Sequence, residues 1–294
     1  MSKPSESRVL SLPVTIGLAA LAIAAFAGNS LLTRAALSGE LIGPGAFGTI
    51  RLASGAAALM AFGLLSRRDI RPRHGDLPGA AALAVYTGFF SFAYVALDAA
   101  SGALILFAAV GATVTIASLR HGVRPVEIGG LLLAFGGLVW LLLPGAEAAP
   151  LGAAALMVVA GIAWGVYTLL GRSGGEPVGR TARNFWLAWP FLLPAMMLAG
   201  FDDVTRDGIV IAIICGVITS AAGYSVWYLC LPRLPVVASG SVQLATPAAA
   251  ALGGILLLGE PAGWRLAGAS ALILAGIALT LLKRRQAGSI TPKA

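Results

Sequence analysis

Of 294 residues, 58% are hydrophobic and only 11% charged, against about 45–50% and 25% in an ordinary soluble domain. That composition suits lipid and excludes a soluble domain as the body of the protein. The formal net charge of +8 does not indicate nucleic-acid binding, because the basic residues stand in short clusters between long apolar runs and build no basic face.

A helix crosses a bilayer in roughly 17–25 mostly apolar residues. Ten stretches meet or nearly meet that length: 12–37, 44–65, 77–97, 102–119, 126–143, 151–170, 182–200, 208–231, 236–258 and 264–282. The first follows Lys3 and Arg8 and contains "AFAGN", a pattern shared with secretory signals and their cleavage sites. Its apolar character continues to Leu37, so a retained helix is expected. Asn29, Ser30 and Thr33 lie deep in it, where polar groups must turn inward to find partners.

The second span carries Arg51, the one basic residue well inside a run. It either draws an anionic group into an outer vestibule or snorkels as a structural residue. Phe90 and Tyr94 share a face of the third span. Trp164, Tyr167 and Thr168 do so in the sixth, and Tyr224, Trp227 and Tyr228 in the eighth, which also holds Ser220. Such clusters can stack on a planar or apolar solute. Tyr94, Trp227 and Tyr228 lie near span ends and fit an interfacial aromatic belt equally well.

Glycines at 129, 130, 136 and 137 in span five and at 161 and 165 in span six suit close helix packing. Cys215 and Cys230 stand fifteen residues apart in one run, roughly 22 Å along a helix and too far for a disulfide. His74 and His121 lie between runs and are not paired at ligand spacing, so no metal or other cofactor is expected. The ninth span holds Ser239, Ser241, Gln243 and Thr246, with Pro247 near its centre. A mid-helix proline removes a backbone hydrogen bond and is tolerated in a membrane where the helix lines a cavity.

Sixteen of the twenty Lys and Arg residues fall on one side of this topology, which places both termini in the cytoplasm. Connections are short and contain no phosphate loop, nucleophile elbow or zinc-protease motif.

The chain also repeats itself. "GLAALAIAAFAGNSLLTRAALSGE" lies over "GAAALMVVAGIAWGVYTLLGRSGGE", "FSFAYVAL" over "YSVWYLCL", and "EIGGLLLAFGGLVWLL" over "RLAGASALILAGIALTLL". Residues 1–147 and 148–294 are thus two copies of a five-helix unit that together form one membrane domain. An odd span count inverts the second copy. The expected fold is an all-α integral membrane protein of ten transmembrane helices, arranged as two inverted five-helix repeats with a solute site near the midplane between them.

Those ten spans, the five-plus-five repeat, "LATPAAAALGGILLLGEP" with Pro247 and Glu260, and "RLAGASALILAGIALTLL" resemble the EamA domain of the drug/metabolite transporter superfamily, most like its YddG-type amino-acid exporters. The resemblance covers nearly the whole chain and implies movement of small metabolites across a bacterial inner membrane. The first copy departs from the pattern: "SLRHGVRP" lacks the Glu, and Ala108 stands opposite Pro247.

The substrate-binding candidates are therefore Asn29, Phe90, Tyr94, Trp164, Tyr167, Ser220, Tyr224, Gln243 and Thr246, with Pro247 as the helix break that gates access. No His, Asp or Glu lies deep in a span, which speaks against the alternative of an intramembrane enzyme or lipid-handling protein. The residues leave open a choice between amphipathic amino acids and flat drug-like cations, the latter drawn to Trp or Tyr faces, and between free exchange and proton-coupled multidrug efflux. The bilayer is the expected environment, and no oligomer is required.

Overall fold

The structure is a computed structural model that describes residues 12–118, 125–142, 149–172, 176–194, 197, 204–233, 243, 245–261 and 263–281. Ser239, Ser241, His121 and most of the N-terminal part of the ninth expected span lie outside the described residues. Within them the chain is helical, with no strand.

Helix α1 spans Leu12–Ser38. Helix α2, Pro44–Leu65, starts with proline in its first turn after an extended Gly43, where the missing N–H is one the helix would leave unpaired in any case. Helix α3 is Leu77–Ala93 and α4 is Ala99–Ser118. The break between them falls at Asp98, whose carboxylate accepts from Ser101 N at 2.6 Å and so caps α4. Helices α5 (Pro125–Leu142) and α6 (Leu151–Gly171) follow.

Helix α7, Pro177–Ala188, begins five residues before the expected position 182 and runs into a 3₁₀ turn at Trp189–Leu192. Its start is set by Glu176, whose side chain accepts from Val178 N and Gly179 N at 3.2 and 2.6 Å. The polar "GRTARN" had concealed this turn of helix. Arg183 is buried after all, because its guanidinium pairs with Asp76 at 2.7 Å.

Helix α8 covers Arg206–Cys230. Its middle, Cys215–Ala222, is wound as a π-helix. Helices α9, Ala245–Leu258, and α10, Trp264–Leu281, complete the described chain. Five of these helices, α1, α2, α4, α6 and α8, are long and apolar enough to cross a membrane.

Neighbours pair in a definite pattern. Helix α1 packs on α8 and α9, α3 and α4 pack on α6, α2 packs on α7 and α8, α4 packs on α9, and α5 packs on α10. Small residues permit the closest approaches. A Cβ on Gly161 would stand 2.5 Å from the Leu106 carbonyl oxygen, and one on Gly276 would stand 2.5 Å from that of Gly130. These are the α4–α6 and α5–α10 seams: Gly161 and Gly165 of α6 and Gly137 of α5 are packed closely there, whereas Gly129 and Gly136 face open space.

Candidate functional site

The interior is organised around Arg51. It lies roughly 10 Å into α2 from the helix start, and its side chain is fully buried. Close contact of α2 with α8 puts it there: a Cβ on Gly216 would collide with the Arg51 carbonyl oxygen and Ser54 Oγ, and one on Gly55 would come within 2.9 Å of the Gly216 carbonyl oxygen. With no room for side chains at that crossing, the guanidinium is directed against the next turns of α8. The snorkelling alternative is thereby overturned, since the charge stays in the protein interior.

Arg51 Nε donates to Ser220 Oγ at 2.8 Å, and Nη2 donates to Tyr224 Oη at 2.6 Å and Tyr86 Oη at 3.3 Å. The guanidinium carbon stands 5.1 Å from the centre of the Phe90 ring and 5.4 Å from that of Tyr86, within cation–π range. No carboxylate pairs with it among the described residues. Among the described residues its Nη1 has no partner.

The π-turn arranges the facing side of α8. Hydrogen bonding from i to i+5 widens the helix, a feature concentrated at functional sites, and it brings Cys215, Ser220 and Tyr224 to the same side. Asn29 of α1 meets that side. Its Oδ1 accepts from Cys215 Sγ at 2.9 Å and its Nδ2 donates to Tyr86 Oη at 3.0 Å. Tyr224 Oη in turn donates to Tyr86 Oη at 3.2 Å.

An aromatic shell encloses these polar groups. Trp164 of α6 lies 4.6 Å from Tyr224, 4.9 Å from Tyr86 and 5.5 Å from Phe26, centre to centre. Its indole N–H donates to Gln243 Oε1 at 2.8 Å. Phe26 continues the shell to Trp227 at 5.7 Å, and Phe185 of α7 reaches Tyr224 at 5.7 Å.

The structure therefore gathers Asn29, Phe90, Trp164, Ser220, Tyr224 and Gln243 around one centre. Tyr167 lies in a second layer, 5.5 Å from Trp164, with Asn184 Nδ2 donating to its hydroxyl at 3.4 Å. Tyr94 lies at the edge of the centre, 4.7 Å from Phe90, and covers Gly102 of α4. Thr246 is buried, and its hydroxyl oxygen has no hydrogen-bond partner.

One expectation needs correction. Tyr94, Trp227 and Tyr228 form no belt facing lipid, for their exposures are 0, 0 and 5%. Pro247 is the third described residue of α9; residues 234–242 and 244, on which the expected helix break depends, lie outside the described residues.

Tyr86 and Phe26 were not anticipated. Tyr86 precedes Phe90 by four residues and Phe26 precedes Asn29 by three, spacings that share a helix face. The face shared with a named candidate was the signal available.

Ion pairs lie at the helix ends to either side of the centre. At one end Glu260 accepts from Ala99 N at 2.8 and 3.0 Å and stands 3.6 Å from Arg34 Nε, while Arg34 Nη1 donates to the carbonyls of Tyr94 and Val95, both at 3.1 Å. Loss of hydration raises the Glu260 carboxyl above the ordinary carboxylate range, against the pull of the Ala99 N–H and Arg34. At the other end Arg183 pairs with Asp76, and Arg68 with Glu176. Asp69, joined there to Arg73, is held below the ordinary range, first by the Arg71 backbone N–H and then by the Arg73 side chain.

Residues 151–282 match the EamA-like transporter family. An uncharacterized protein of Pseudomonas aeruginosa is 49% identical over 275 residues, covering 92% of this chain and 95% of that protein. A protein of Streptantibioticus cattleyicolor described as a probable terminal-alkyne amino-acid exporter is 29% identical over 238 residues, 74% of this chain and 79% of its own. The threonine/homoserine exporter RhtA of Salmonella typhimurium is 32% identical over 170 residues, 55% and 57% of the two chains. A solved crystal structure superposes with a TM-score of 0.70 at 19% identity, covering 95% of this chain and all (100%) of that one, a likeness of fold. A buried polar and aromatic centre among lipid-spanning helices, joined to these matches, makes the chain a multi-pass membrane transporter that belongs to the EamA-like transporter family.

Proposed function

We propose that the protein is a secondary transporter of small amino-acid-like solutes in a bacterial inner membrane. It works by alternating access, with both termini cytoplasmic and residues 1–147 and 148–294 as inverted repeats. One observation carries this reading. The centre is built by both halves of the chain: Asn29, Arg51, Tyr86 and Phe90 come from the first, and Trp164, Ser220, Tyr224 and Gln243 from the second. A site shared by two repeats near the midplane is the place where rocking one against the other exposes a solute to either side.

Helix pairing supports the two-fold relation. If α1–α5 correspond to α6–α10, then the contacts of α3 and α4 with α6 have their mates in those of α8 and α9 with α1, while α2–α7, α4–α9 and α5–α10 are their own mates. The Glu260–Arg34 and Asp76–Arg183 pairs then lie towards opposite faces of the membrane, as outer and inner closures.

An enzyme needs a nucleophile beside a base. The thiol at the centre, Cys215, has Asn29, Thr33 and Thr219 for partners, which are amides and hydroxyls. The exporter names borne by two relatives favour amino acids as the solute class. Counterflow of a labelled amino-acid panel into proteoliposomes tests the reading. Uptake of at least one member above protein-free vesicles is expected, and no uptake of any solute would overturn it.

A further inference from the structure

We infer that Arg51 is the receptor for a carboxylate of the transported solute, and that the site requires this carboxylate and not an ammonium group. The inference rests on the reading of the buried centre as the solute's binding place and names the group by which the solute is held.

The guanidinium is 0% exposed in a chain that spans lipid. A charge so placed is expensive unless paired, and interior cations of membrane proteins mark solute or ion pathways. Arg51 has only neutral company: three hydroxyls, from Ser220, Tyr86 and Tyr224, and two ring faces, from Phe90 and Tyr86. These offset part of the lost hydration and leave the charge unneutralised. Nη1 is buried without an acceptor among the described residues.

Guanidinium geometry identifies what completes the site. The planar fork offers parallel N–H donors that match the two oxygens of a carboxylate. One such donor, on Nη1, is already free, and the other edge is held by tyrosine hydroxyls, which are weaker acceptors than a carboxylate. Tyr86 and Tyr224 therefore stand in for the solute in the closed core, and an arriving carboxylate exchanges with them.

Among the described residues no carboxylate pairs at this centre, so an ammonium has no charged receptor there. The charged group of the centre is cationic. The amide oxygens of Asn29 and Gln243 are engaged by Cys215 and Trp164 respectively. A cationic solute against Trp164 would be repelled by Arg51, which shares Tyr86 with it as a neighbour, so the aromatic shell serves the apolar body of an acid. Carboxylic acids that lack an amine belong to the accepted class, beyond the amino acids themselves.

The test uses two ligand series on the full chain. One is L-phenylalanine, 3-phenylpropionate and phenethylamine; the other is L-leucine, 4-methylpentanoate and isoamylamine. Binding is read by quenching of tryptophan fluorescence in detergent, and transport by competition in counterflow. In at least one series both acids should bind, and the decarboxylated amine should be weaker by about a hundredfold, the scale on which a buried charge pair broken on one side loses affinity. Sodium chloride at equal concentration should not compete.

Arg51→Gln should abolish the preference for acid over amine yet unfold at no lower temperature than the parent, because it removes an uncompensated buried charge. An amine that binds as well as its acid, displacement by chloride, or an acid preference retained in Arg51→Gln would each overturn the inference. So would a failure of all four acids to bind. Counterflow of some other solute in that case would leave the transport reading standing, whereas absence of counterflow for every solute, with acids still bound at Arg51, would remove the transport reading alone.

Discussion

Gly216 of α8 lies directly against the backbone carbonyl of Arg51 in α2, with no room between them for a methyl group. The contact fixes the distance at which the guanidinium meets Ser220 and Tyr224. Gly216→Ala should push the helices apart, lower stability by about 1–3 kcal/mol as overpacking does, and weaken solute binding. Thermal unfolding in detergent and a fluorescence titration check both effects. Parent-like behaviour in both would show that the crossing adapts freely and does not position Arg51.

Trp164 has two separable contributions, its ring among Tyr86, Tyr224 and Phe26 and its N–H to Gln243. Trp164→Phe keeps an aromatic body and leaves the Gln243 oxygen without this donor, a loss of about 1–3 kcal/mol where nothing replaces it. Trp164→Ala also opens a void and should abolish transport of aromatic and apolar solutes while folded protein persists. Counterflow rates normalised to folded protein decide the matter. Normal transport in Trp164→Ala would rule out the aromatic centre as the binding place.

Most helix positions were legible because lipid demands long apolar runs, and the runs at 44–65 and 264–282 coincide with α2 and nearly with α10. The start of α7 was not legible. Its first turn carries Arg180, which read as loop, and the pairing of Arg183 with Asp76 joins residues 107 apart in sequence. Asn29, Trp164, Ser220, Tyr224 and Gln243 were recognisable because polar and aromatic residues at depth must turn inward. Tyr86 was marked only by sharing a helix face with Phe90 four residues on, and the π-turn of α8 has no sequence signature. The depth of Arg51 depends on both, since Ser220 and Tyr224 reach it from that turn.

Glu260 gives a pH-dependent contribution to stability. Its carboxyl titrates above the ordinary carboxylate range in the folded chain, chiefly because it is dehydrated. The folded state therefore holds a proton more tightly than the unfolded one, so this group's stabilising contribution is fully present below the ordinary carboxylate pKa and is lost as pH rises through the raised one. Glu260→Gln should flatten that part of the pH–stability profile in detergent. A profile identical to the parent's would show that the carboxyl does not titrate in this range.

The final expectation concerns energy coupling. Proton-driven carriers use an embedded group whose protonation changes between facing states, because titration relieves the cost of burying a charge. At this centre the charged group is Arg51, which stays protonated at all physiological pH. The buried carboxylate Asp76 is bound to Arg183 at a helix end, and Glu260 lies beyond α9 in contact with the start of α4. With no carboxylate or histidine at this centre among the described residues, transport should follow the solute gradient as facilitated diffusion or exchange. Counterflow in vesicles with equal pH on both sides should proceed at full rate, and an imposed proton gradient should produce no uphill accumulation. Accumulation that requires the gradient and vanishes in Glu260→Gln would assign proton coupling to that carboxyl and refute solute-driven exchange.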